Sequence, residues 1–138
     1  MKSPESGQVL AFFAIALPVV LLPVAAYAID ATMVAGREAA LQAATAQAAE
    51  TAAQHLNIGA FRSSGALSLD ARAVRLAVDQ TLIEEEPNAT VDSYTVRGAE
   101  VTVATSELMR LPLSVFTDTV VLHAHAAARL VAGYESPS

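Results

Sequence analysis

The sequence predicts an α+β protein: a long N-terminal transmembrane and stalk helix, a second amphipathic helix and a small antiparallel β-meander. Three observations predict it. Val9 to Ile29 carries no charged side chain. Residues 31–57 are alanine-rich and free of proline. After Pro87 the apolar repeat changes from helical spacing to alternation.

The apolar run VLAFFAIALPVVLLPVAAYAI is apolar on every side and ends at Asp30. At helical rise it covers roughly 31 Å, the thickness of a bilayer's hydrocarbon. Pro18 and Pro23 lie inside it, and each removes one intrahelical hydrogen bond. A membrane helix tolerates this when its neighbours compensate. Lys2 and the terminal amine precede the run and an acidic segment follows it, which places the N-terminus in the cytoplasm and the remainder outside.

Alanine favours helix, so residues 31–57 continue the membrane helix as a stalk. Gln47, Glu50, Thr51 and Gln54 mark a wet face, and Val34, Leu41, Ala44, Ala48 and Ala52 a drier one. The small residues of the drier face let a partner helix approach, so Ala48→Glu is expected to disturb assembly. Arg37 and Glu38 fall about two turns beyond the membrane boundary.

Gly59 to Gly65, GAFRSSG, reads as a break. Ser68 reads as the N-cap of the second helix, with Asp70 in its first turn. Val74, Val78 and Leu82 form its apolar stripe, with Ala71 and Ala77 beside them. It ends in Glu84–Glu86, read as a solvated acidic end, and stops at Pro87.

Thr90–Val96 and Glu100–Thr105 alternate and are rich in β-branched residues, with Arg97-Gly98-Ala99 between them, which reads as a hairpin. LMRLPLSVF is the connection to a third strand within Thr117–Val131. The second helix is expected to cover one face of the sheet. The tail GYESPS is expected to be disordered.

The composition excludes several functions. Net charge is −6 and the seven arginines form no basic run, which argues against nucleic acid. With no cysteine, disulfides and thiolate metal sites are excluded. His123 and His125 share one strand face, but no third ligand lies nearby in the sequence, so they read as exposed strand histidines. His55 falls near the end of the stalk helix, where positive charge suits the dipole. No phosphate loop, HExxH or GxSxG is present. The expectation is a protein that is not an enzyme and uses no cofactor and no small-molecule substrate.

The segment Glu5-Ser6-Gly7-Gln8 runs directly into the apolar helix. The stretch SGQVLAFFAIALPVVLL resembles the N-terminus of the TadE/TadG-like minor pilins and pseudopilins of tight-adherence (Flp) pilus systems. The resemblance implies cleavage by a prepilin peptidase between Gly7 and Gln8, with the remainder held in the membrane or drawn into a filament. It also implies other pilin-like subunits and a pilus assembly platform as partners. HAHAAARLV resembles the family's closing strand. The family commonly carries glutamate, then phenylalanine, at the fifth and sixth residues after the cut. Here those assembly-helix positions are Phe12 and Phe13, so the phenylalanine matches and the glutamate is missing. A buried acid of that kind is costly in a bilayer unless partnered. The division expected is a leader over 1–7, the membrane and stalk helix over 8–58, an extracytoplasmic domain over 59–134 and a tail over 135–138. An alternative needs no family. Ala26-Tyr27-Ala28 fits a signal-peptidase site, and a cut after Ala28 would release a small acidic domain.

Overall fold

The computed structural model describes residues 4–114 and 116–131. Lys2 and the GYESPS tail, and the readings attached to them, lie outside the described residues. The class is α+β, as the sequence predicts. Helices α1 (Pro4–Ala53), α2 (Ile58–Ser64) and α3 (Ala71–Glu85) precede strands β1 (Thr90–Arg97), β2 (Glu100–Arg110) and β3 (Thr119–Arg129).

The apolar run and the alanine-rich segment form one helix of 50 residues, about 75 Å long. It runs through Pro18 and Pro23. It ends at Ala53, short of the expected 57, because the chain tightens there. The Gln54 and His55 amides donate to the Thr51 and Ala52 carbonyls, both at 3.2 Å.

The expected break at 59–65 is instead the short helix α2. Asn57 caps it by accepting the Ala60 amide at 3.0 Å. Gly65 ends it in the left-handed region at φ 70°, where a side chain would be strained. The cap of α3 is Asp70 and not Ser68. Asp70 Oδ1 accepts the amides of Arg72 at 3.0 Å and Ala73 at 3.2 Å. Ser68 is drawn away because its carbonyl accepts the Asn57 amide, while Leu56 and Leu69 form an isolated bridge. The Leu69 amide donates to the Gly98 carbonyl and ties this corner to the hairpin.

The sheet is antiparallel in the order β1-β2-β3. Arg97 pairs with Glu100, so the hairpin loop is Gly98-Ala99. Gly98 takes φ 60°, and glycine at the first loop position is what a type II′ turn demands. Strand β2 runs on to Arg110, where a connection was expected from Leu108. The reason is phase: Val101, Val103, Thr105, Glu107 and Met109 all point inward.

The helix covering the sheet is not α3, as expected, but the second half of α1. It lies against β2 and β3, while α3 packs on α1 and reaches the sheet mainly at β1. The core joins Ala44, Ala48, Ala49, Ala52 and Ala53 to Val74, Val78, Leu82, Val101 and Val103. A second cluster nearer the N-terminal half of α1 holds Leu41, Met109, Leu122 and Ala124. The drier stalk face is therefore occupied by the chain's own sheet. Ala48 is 0% exposed, which overturns its assignment to a partner helix.

Candidate functional site

Gly7, Gln8, Phe12 and Phe13 all lie on the first turns of α1, where the backbone at Gly7 and Gln8 is helical. A Cβ built on Gly7 meets nothing within 4 Å, and its φ is not positive. Neither packing nor backbone geometry requires glycine there, although glycine weakens a helix relative to alanine. Phe12 and Phe13 are both exposed, with ring centroids 6.1 Å apart in an edge-to-face arrangement. Among the described residues, no partner for either ring comes from the folded domain, which packs further along α1.

The most apolar window of α1 has a mean hydropathy of 2.7, and none of it is buried. The helix is thus long and apolar enough to cross a membrane, and it presents bare apolar surface over the segment where it would do so.

A hydrogen bond from the domain holds the helix at Asp30. That side chain is buried, and its Oδ1 accepts the Leu113 amide at 3.2 Å. Two turns further on, Arg37 donates from Nη2 to both Glu86 Oε1 and Glu107 Oε1. One guanidinium thereby joins α1, the end of α3 and β2. Both carboxylates are buried, and Glu107 Oε2 has no hydrogen-bond partner among the described residues. The hydrogen bond to Glu107 raises the Arg37 pKa, with help from the charges of Glu107 and Glu86, against an opposing desolvation. Arg37 is thus a fixed cation. Thr45 Oγ1 meets Thr105 Oγ1 at 2.6 Å, and Gln42 Nε2 donates to the His125 carbonyl at 2.9 Å. These contacts rivet the helix to the sheet.

The reading of Glu84–Glu86 as a solvated end holds for Glu84 and Glu85, which are exposed, and fails for Glu86. Pairing with Arg37 is what carries Glu86 inward. Sequence reasoning missed Glu107 altogether, although a signal was there: it continues the inward alternation of Val101, Val103 and Thr105, and a charge in that phase needs a buried counter-ion.

His123 and His125 lie exposed on the outer sheet face, as the alternation indicates. His123 Nδ1 stands 3.9 Å from Asp92 Oδ2, and Asp92 also accepts the Ser106 hydroxyl at 2.7 Å. His55 lies just beyond the end of α1, with its carbonyl accepting the Asp70 amide. No group of three or more potential metal ligands occurs among the described residues. Compared with family models, curated proteins and solved structures, the chain matches none of them.

Proposed function

We propose that this chain is a single-pass, membrane-anchored, pilin-like protein of the TadE/TadG type. Its role is structural: a component of a Flp or type IV-like pilus, or of a related secretion apparatus, with its C-terminal domain outside the cytoplasmic membrane. One observation carries the reading. A single unbroken helix is bare and apolar in its first half and forms the spine of a small α+β domain in its second. A helix built that way can hold the domain at a membrane or pass it to a neighbouring subunit along the same axis. Gly7 adds support, since nothing in the fold requires glycine at the position where a prepilin peptidase would cut. The unbroken course of α1 across Ala28 weighs against release at that bond.

The mature N-terminus, read by mass spectrometry of membrane and culture fractions, tests this. A chain beginning at Gln8 in the membrane is the expected result. A chain beginning at Ile29 in the medium would mean a secreted domain instead. Retention of Met1 would leave a plain membrane anchor and remove pilin-type processing.

A further inference from the structure

We propose that the connection between β2 and β3 is a second membrane contact, inserted at the boundary between headgroups and acyl chains beside α1. The proposal rests on the membrane-spanning reading of α1 above and extends it from the helix to the domain.

The connection carries apolar side chains in the open. Phe116 is 77% exposed and Leu113 is 47% exposed, at the end of the sheet nearest the apolar half of α1. The connection's described residues on the β2 side are held in place. Leu113 is tied through its amide to the buried Asp30, the Leu111 amide donates to the Asp118 carbonyl at 3.0 Å, and Ser114 Oγ donates to the Leu111 carbonyl at 2.8 Å. Its height along the helix is also fixed. The Phe116 ring meets the Tyr27 ring edge-to-face with centroids 5.9 Å apart. Pro23 and Val24 complete the apolar recess around that pair.

Tyr27 lies one turn before Asp30, about 4.5 Å toward the bilayer centre, where the uncharged run ends. Aromatic rings with a polar edge collect at that depth. The occupant follows from continuity. The patch adjoins the bare face of α1 at the same height, so whatever solvates Tyr27 and Val24 also solvates Phe116. An apolar patch of this kind on an otherwise acidic domain is a contact surface. Lipid fits it by apolar burial and not by charge. A lone helix is free to tilt and turn in a bilayer, and a second contact fixes both.

The absence of cysteine in the chain makes the test direct. The full chain is reconstituted as Leu113→Cys, Leu17→Cys or Gln80→Cys, each labelled with an environment-sensitive nitrobenzoxadiazole. The vesicles are phosphatidylcholine and phosphatidylglycerol, with or without nitroxide near the top of the acyl chain or near its end. The label at 113 is expected to shift to the blue and to lose most of its emission to the shallow nitroxide. The label at 17 should lose it to the deep one, and the label at 80 to neither. If 113 behaves like 80 while 17 is quenched, the connection lies in water: the proposal fails and the membrane span stands. If 17 is not quenched by the deep nitroxide, the span itself fails and takes the proposal with it. A blue-shifted but unquenched label at 113 means that protein covers the patch, which overturns the lipid assignment.

Discussion

The two halves of α1 belong to one helix and have opposite surroundings. From Val9 to Ile29 the large side chains stand in the open, among them Leu10, Phe12, Ile15 and Leu22. From Leu41 to Ala53 the buried face is five alanines with Leu41 and Thr45. A water-soluble protein buries most of its large apolar residues. Here the most apolar window of the chain is left unburied, and the domain touches the run near its end, where Phe116 meets Tyr27. The comparison teaches that the apolar residues of this helix answer to two different surroundings. On the membrane-spanning reading proposed above, the first half is matched to fluid acyl chains, which fill around any shape. The second is matched to a sheet whose backbone must come close, and alanine is what permits that approach.

The sharpest way to break the comparison is to put a charge on the packed half. Ala48→Glu forces an unpaired carboxylate into a site with no room, and should cost about 4 kcal/mol or more. Circular dichroism of the full chain in detergent should show the strand signal lost, while the first half of α1 still partitions into membranes. An unchanged melt would return this face to a partner helix and undo the assignment of α1 to its own sheet.

Legibility in the sequence follows the range of each interaction. The apolar run, the alanine-rich stalk, the stripe of α3 and the alternation of β2 and β3 are local patterns, and the structure carries them; in β1 the alternation is broken by an irregular register between Val91 and Ser93. What covers what was not legible. An alanine face such as Ala44, Ala48 and Ala52 accepts a foreign helix or the chain's own sheet equally well, and nothing within the helix says which. Arg37, Glu86 and Glu107 were hidden for a related reason. The pairs are separated by 49 and 70 residues, and no local pattern links a cation to acids so distant. Caps were misplaced by smaller margins. Ser68 and Asp70 both qualify as an N-cap, and the choice was made by the pairing of residues 68 and 69 with the corner and the hairpin.

A matched pair of leucine deletions sharpens the comparison. Leu41→Ala empties a fully buried site against Met109 and Leu122 and should cost about 3 kcal/mol. Leu22→Ala removes the same atoms from the bare half and should leave the domain's melting temperature unchanged in detergent. Equal losses would mean that the first half of α1 is packed against protein.

The smallest effect concerns Arg37, which joins the stalk to the rest of the domain. Arg37→Met leaves two buried carboxylates facing each other without a cation. A fully buried pair broken this way costs several kcal/mol, but the Arg37 side chain is 37% exposed, so about 2 kcal/mol is expected. Arg37→Lys should fall between, because one compact ammonium reaches two carboxylates less well than a planar guanidinium. Removing the acids as well, in Arg37→Met with Glu86→Gln and Glu107→Met, should recover most of the loss, since the penalty lies in the unpaired charges and not in the missing arginine. The pH dependence has a definite sign. The Arg37 pKa is raised in the folded chain, so its contribution is complete below the unfolded value and is lost only as pH climbs through the folded one. From neutral to moderately alkaline pH the gap in melting temperature between the wild type and Arg37→Met should therefore stay constant. A gap that closes over that range would show that the clamp depends on some group other than the guanidinium.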